Sequence, residues 1–405
     1  MKLWRSGIVW SILSFIGGLG NLAVSAVLGH RLSKAEYGYS NSTLDFITFL
    51  GLPLQTFSTA LIHYIAHFRA KNDEARLQGL LAGCQSLLVK VSIGGSVLAI
   101  VLADPLGRFF HFPRGSLMLV ALICMLAAVW SGLALALCQG MAWFKRMAVI
   151  GVIAVMMRFL FCWVMTKPFP RAETAVSATA FSFIANLSLL YWWKDIFRHG
   201  AERISPWNRQ FVNFLLVTGA TVGGTFFFTT GDGLVAQRYF SGNDLGAYQG
   251  AARFGRAIPA TVGPLLMVMF TSRSGNKEGA AIADQRILLG LYAAGLACGA
   301  IGLVIFRRLF VKFIFGTDNA EAAEMIIPFS ITMTLVGLNQ AIGMWSLANR
   351  WLNIAVVYGT LGLSYWAVLL MTGRTPTALL HAMPIGDGAA FCFLCGAWLL
   401  KLRRQ

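Results

Sequence analysis

Gln237-Arg238-Tyr239-Phe240-Ser241-Gly242-Asn243-Asp244-Leu245-Gly246-Ala247-Tyr248 closes one long apolar stretch and opens the next. His30-Arg31-Leu32-Ser33-Lys34-Ala35-Glu36-Tyr37-Gly38-Tyr39 does the same near the start, with Arg, Ser, an acidic residue, Gly and Tyr in the same order. Arg31 and Arg238 stand 207 positions apart, about half of the 405-residue chain. A second echo follows the third apolar stretch of each half: Asp104-Pro105-Leu106-Gly107-Arg108-Phe109-Phe110 and Arg308-Leu309-Phe310-Val311-Lys312-Phe313-Ile314-Phe315-Gly316. The chain therefore reads as a duplication. Halves that each contain an even number of membrane spans keep the same orientation, a transporter plan with the substrate site at the lobe interface.

Composition agrees. Hydrophobic residues make up 57% of the chain and charged residues 12%, with a mean hydropathy of +0.68. Soluble domains average roughly 45–50% apolar and 25% charged residues, so a soluble enzyme is excluded. The excess of 33 Lys and Arg over 16 Asp and Glu falls between apolar runs, which points to anionic lipid and membrane topology rather than to nucleic acid.

A span needs about 20 mostly apolar residues. Twelve such stretches are expected, at 7–29, 40–66, 80–103, 115–138, 147–166, 173–193, 211–237, 247–270, 287–306, 325–348, 352–371 and 384–400. The fold class is all-α: a polytopic membrane protein of about twelve helices in two pseudo-symmetric six-helix lobes, 1–193 and 211–405, joined by a basic linker, 194–210. The first stretch exceeds a signal-peptide core and reads as a retained span. Eighteen Lys and Arg on the side of the termini against eleven opposite orient both termini to the cytoplasm. All seven cysteines fall inside spans and read as packing residues, the Cys392/Cys395 pair included.

The run Thr230-Gly231-Asp232-Gly233-Leu234-Val235-Ala236-Gln237-Arg238-Tyr239-Phe240, continued by Gly246-Ala247-Tyr248-Gln249-Gly250-Ala251-Ala252-Arg253, resembles the polysaccharide and O-antigen flippases of the multidrug/oligosaccharidyl-lipid/polysaccharide (MOP) exporter superfamily. Residues 31–38 are similar to the N-lobe counterpart of that motif. The resemblance implies export of a lipid-pyrophosphate-linked glycan by alternating access, with no cofactor, in a bacterial inner membrane and alongside glycan polymerase or assembly proteins. H+ or Na+ is the coupling ion it allows.

An ionisable residue at mid-bilayer costs roughly 2.5–3.5 kcal/mol and marks a cavity or a partner. The candidates are Asp45, Lys90, Arg158, Asp232, Arg253, Arg256 and Asp387, with one positive charge in surplus. Arg253 and Arg256 are expected to bind diphosphate, since guanidinium forks match phosphate oxygens. Hairpin counting puts Asp45 and Asp232 at their depth. The competing reading is an Asp232–Arg253 pair that only fixes helix packing. Lys90 and Arg158 stand as substrate-binding candidates of the same kind.

Asp232 and Asp387 each sit in Gly-Asp-Gly, where flanking glycines loosen the helix and make an ion-coupling site. Close helix contact through small residues is the alternative. Pro53 and Pro259 are candidate hinges, with static kinks the other reading. His63 and His67 share a helix face but lack a third metal ligand.

No Lys directly follows a Gly, so there is no nucleotide-binding P-loop. The longest hydrophilic connections, 194–210 and 307–324, are too short for a catalytic domain. A membrane glycan polymerase or transferase is thus disfavoured. A multidrug cation antiporter of the same superfamily is the principal alternative, although it calls for an acidic cavity.

Overall fold

The computed structural model describes residues 3–188, 209–275, 281–316, 320–349 and 351–402. The linker 194–210, apart from its last two residues, lies outside them, as does the end of the sixth expected span. No strand occurs among the described residues.

The helices are α1 (Leu3–Arg31), α2 (Lys34–Leu50), α3 (Leu52–Ala70), α4 (Glu74–Phe109), α5 (Gly115–Gly140), α6 (Phe144–Met165) and α7 (Ala172–Leu187). The second half holds α8 (Arg209–Thr229), α9 (Gly231–Tyr239), α10 (Gly242–Gly275), α11 (Ala281–Ile305), α12 (Arg307–Phe315), α13 (Ala320–Ala348), α14 (Leu352–Thr372) and α15 (Pro376–Leu402). Seven of them are each long and apolar enough to cross a membrane, and the bent pair α2–α3 makes an eighth. Helices α1, α4, α7 and α10 occupy the other four expected stretches.

Two expected spans are broken. The second divides at Gly51, where α2 and α3 meet at 56° and Pro53 stands in the first turn of α3. Proline is tolerated there because first-turn N–H groups lack intrahelical partners anyway. The seventh divides at Thr230, directly before Gly231-Asp232-Gly233. Pro53 stands beside the α2–α3 bend, while Pro259 lies inside α10, which continues through it. The segment 307–324, expected as a loop, contains the short helix α12, whose Val311 and Ile314 are buried while Leu309 and Phe313 are exposed.

The packing repeats. Within the first half α1 packs on α6, α3 on α5, α5 on α7 and α6 on α7. In the second half the corresponding pairs are α8–α14, α10–α13, α13–α15 and α14–α15. Between halves α1 meets α10, α3 meets α8, and α2 crosses α10. The two motif glycines meet at that last crossing: a Cβ on Gly38 would lie 2.9 Å from the Gly246 nitrogen and 3.0 Å from Leu245. Gly38→Leu forces the helices apart and is expected to cost about 1–3 kcal/mol. An unchanged thermal midpoint in that variant would contradict the contact.

Beyond this crossing, on the face away from the termini, further bonds join the halves. His111 Nδ1–H donates to the Arg238 carbonyl at 3.2 Å, and Arg238 donates to the Phe109 carbonyl at 2.8 Å. His30 Nε2–H donates to the Phe313 carbonyl at 3.1 Å. Arg238 and Phe109, from the two sequence echoes, thus hold each other. His63 stacks on Phe214 with centroids 4.5 Å apart, an aromatic packing role. Among the described residues no group of three metal-ligating side chains forms.

Candidate functional site

The α2–α10 crossing places the motif residues of both halves on one another. Ser33, Gly38 and Asp45 recur 208 positions later as Ser241, Gly246 and Arg253. The duplication has therefore put an anion on α2 where α10 carries a cation.

Arg256 is the hub. Its Nη1 donates to both carboxylate oxygens of Asp45 at 3.0 Å, and its Nη2 to both of Asp232 at 2.9 and 3.0 Å. Gln249 reinforces Asp45 at 3.1 Å and bonds Ser42 at 3.0 Å, while the Tyr248 hydroxyl donates to Asp232 at 2.8 Å. Asp232 is completely buried and Asp45 nearly so. Gly233 permits the arrangement, because a Cβ there would overlap the Asp45 carboxylate. Two anions share one cation, whose planar guanidinium turns a different Nη toward each of them.

Arg253 and Arg158 are held differently. Arg253 Nε donates to Asn41 Oδ1 at 2.8 Å, and Arg158 Nη1 to Asn21 Oδ1 at 3.1 Å. Each is steered by a neutral amide, so its charge is not cancelled. Both line one cavity of about 590 Å³ between α1, α5, α6 and α10, together with Arg256, Asn21, Ser25 and Gln139. No Asp or Glu is among its lining residues. The cavity extends from mid-helix toward the face carrying the termini. Counting Asp45, Asp232, Arg158, Arg253 and Arg256, the site keeps one positive charge in surplus.

The sequence expectations divide accordingly. Asp45, Arg158, Arg253, Arg256 and Asp232 come together. The competing reading, an Asp232–Arg253 pair, is not what forms: Asp232 pairs with Arg256, one turn further along α10. Arg256 is consumed by carboxylates, and the free phosphate-matching forks are those of Arg158 and Arg253. Lys90 does not reach the cavity: it is exposed on α4, which packs only against α3 and α5 in substantial contact.

Asp387 lies elsewhere, in the second lobe. It is completely buried on α15, where the Tyr365 hydroxyl is its side-chain neighbour and no cation pairs with it among the described residues. Asn339 Nδ2 donates to its backbone carbonyl at 3.3 Å, and Tyr365 packs against the adjoining Gly386. The Asn339 amide oxygen is left without a partner among the described residues. Sequence reasoning missed Asn21, Asn41, Tyr248, Gln249 and Tyr365 as parts of the site. Tyr248 and Gln249 stand inside the repeated motif, a usable signal. Asn21 and Asn41 are uncharged and carry none beyond being polar within apolar stretches.

A similarity search against family models returns no match, and none of the curated proteins matches. Solved structures do. A MATE transporter in its straight conformation superposes with a TM-score of 0.72 at 13% identity, covering 100% of this chain and 97% of its own. An outward-facing multidrug resistance MATE transporter of the MOP superfamily gives 0.65 at 14%, covering 100% and 97%. A MOP superfamily transporter from Pyrococcus furiosus, described as having a binding pocket of reverse polarity and a suggested different function, gives 0.66 at 13%, covering 98% and 96%. At such identities the likeness is one of fold. The chain is an all-helical integral membrane protein that shares, over its whole length, the fold of these solved structures.

Proposed function

We propose that the chain is an alternating-access transporter for an amphipathic anion, of which a lipid-phosphate-linked glycan is the cargo class that best fits its charges. The observation that carries this reading is a cavity lined by Arg158, Arg253 and Arg256 without one facing carboxylate. An organic cation would meet like charge there, whereas a phosphate or diphosphate gains charge-assisted bonds. Transport would run from the cytoplasmic to the outer leaflet of a bacterial inner membrane, with the termini inside.

The multidrug cation antiporter is the second reading. The descriptions of the solved structures favour it, since they name MATE and multidrug transporters and no glycan flippase. For a cation to bind, Asp45 or Asp232 would have to leave Arg256. The two readings separate in proteoliposomes. An undecaprenyl-pyrophosphate-linked sugar should change leaflets while ethidium is not pumped. Ethidium efflux without glycolipid translocation would overturn the anion reading in favour of the antiporter.

Asp387, Asn339 and Tyr365 are the proposed ion-coupling group, for H+ or Na+, since a carboxylate buried beside neutral groups alone needs a cation or proton to stay in the membrane. Asp232 is withdrawn from that role by its bonds to Arg256 and Tyr248. Asp387→Asn is expected to abolish gradient-driven accumulation while leaving substrate exchange at equal concentrations intact. Undiminished gradient-driven transport would remove Asp387 from coupling.

A further inference from the structure

A second groove, apolar and of about 250 Å³, runs between α1, α10 and α11 and shares Gly18, Leu22, Ala257 and Thr261 with the cationic cavity. Along α11 its wall passes from Gly295 through Gly299 and Gly302 to Phe306. Eleven residues of helix cover about 16 Å, close to half of the roughly 30 Å hydrocarbon core. The groove is thus one leaflet deep. Gly18 and Gly302 leave space, since a Cβ on either would meet nothing within 4 Å, whereas Gly295 and Gly299 let α11 close on Val262 and Ile258 of α10.

At the end away from the termini the groove finishes under α12, where Phe306 and Phe310 line it. Helix α12 carries Arg308 and Lys312 one turn apart on its exposed surface, beside the exposed Leu309 and Phe313. Among the described residues neither cation has a carboxylate partner, whereas the neighbouring Arg307 is paired with Glu324 at 3.6 Å. The helix therefore lies with an apolar row at the level of acyl chains and a basic row at the level of headgroups.

We propose that this groove and α12 form one binding site for an anionic phospholipid of the leaflet facing away from the termini. An acyl chain occupies the Gly295–Phe306 groove and the phosphate sits on Arg308 and Lys312. The chemistry is that of a phosphate ester on a long hydrocarbon chain. The site adjoins the cargo cavity along the four residues that the two share, but its cations, Arg308 and Lys312, are not the cavity's Arg158 and Arg253, and it stands whether the cargo is anionic or cationic.

Two variants test it: Gly302→Phe fills the groove, and Arg308→Gln/Lys312→Gln removes the head site. Both sit on lipid-facing surface, so folding is checked by the thermal midpoint in detergent. Purified full-length protein is reconstituted in nanodiscs of phosphatidylglycerol and phosphatidylcholine at equal proportions, and released lipid is counted by native mass spectrometry. A photoactivatable phosphatidylglycerol maps the contact. Wild type should retain phosphatidylglycerol at least five-fold over phosphatidylcholine and be labelled within 295–313. Gly302→Phe should lose the lipid, and the charge variant should keep a lipid but lose the preference. Equal phosphatidylglycerol retention and labelling in all three proteins would overturn the site. Displacement of the lipid by undecaprenyl monophosphate at stoichiometric amounts would overturn the phospholipid assignment in favour of a transported species.

Discussion

Arg256→Ala is expected to leave little folded protein. The substitution strips from two carboxylates the cation that bonds both of them, and one of the two is without any solvent exposure. Removing one partner of a buried ion pair costs about 3–5 kcal/mol, against a total stability of about 5–15 kcal/mol for an ordinary domain. Here a single loss orphans two anions at once. The fluorescence-detected monodisperse peak in detergent should collapse, and the thermal midpoint of any survivor should fall steeply. The triple change Arg256→Met/Asp45→Leu/Asp232→Leu should recover the peak, because well-packed apolar replacements of buried ion clusters are neutral or stabilising by about 1–4 kcal/mol. Recovery in the triple variant would mark the cluster as a clasp between the lobes. An Arg256→Ala protein as stable as wild type would refute the clasp.

Arg158→Ala/Arg253→Ala is expected to do the opposite: fold normally and lose its cargo. Each arginine rests on a neutral asparagine, so its removal strands an amide oxygen and no buried charge. Each charge-assisted hydrogen bond to a phosphate contributes about 1.5–3 kcal/mol. Two lost donors therefore predict about 10²–10⁴-fold weaker binding of a phosphate-bearing lipid. Lysine at both positions keeps the charge but not the fork and should fall between the two. The contrast with Arg256→Ala separates cargo binding from architecture within one helix face.

The architecture was legible because membrane spans are written in long apolar runs and the duplication in two short motifs. Gly38 and Gly246 were visible as repeat landmarks, and their structural meaning is that they touch. What the sequence concealed was the partnership of the charges. Hairpin counting put Asp232 level with Arg253, and Arg256 about one turn deeper, but side-chain direction decides which of the two meets Asp232, and it is the deeper one. Lys90 looked like the other buried cations because periodicity is weak in a span that is apolar all round. Its exposure follows from α4 lying at the periphery, a fact of packing and not of local sequence. The amphipathic α12 was read as a loop because nine residues with three cations do not resemble a span.

The central claim is that the cavity selects a negatively charged amphiphile through Arg158 and Arg253. Equilibrium binding of undecaprenyl pyrophosphate and of tetraphenylphosphonium to the same purified protein tests it most directly, with the Arg158→Ala/Arg253→Ala protein alongside. The account predicts that wild type binds the pyrophosphate lipid and not the cation, and that the double variant loses the lipid by at least a hundred-fold. Tight binding of tetraphenylphosphonium to wild type, with lipid affinity untouched by the double substitution, would contradict it.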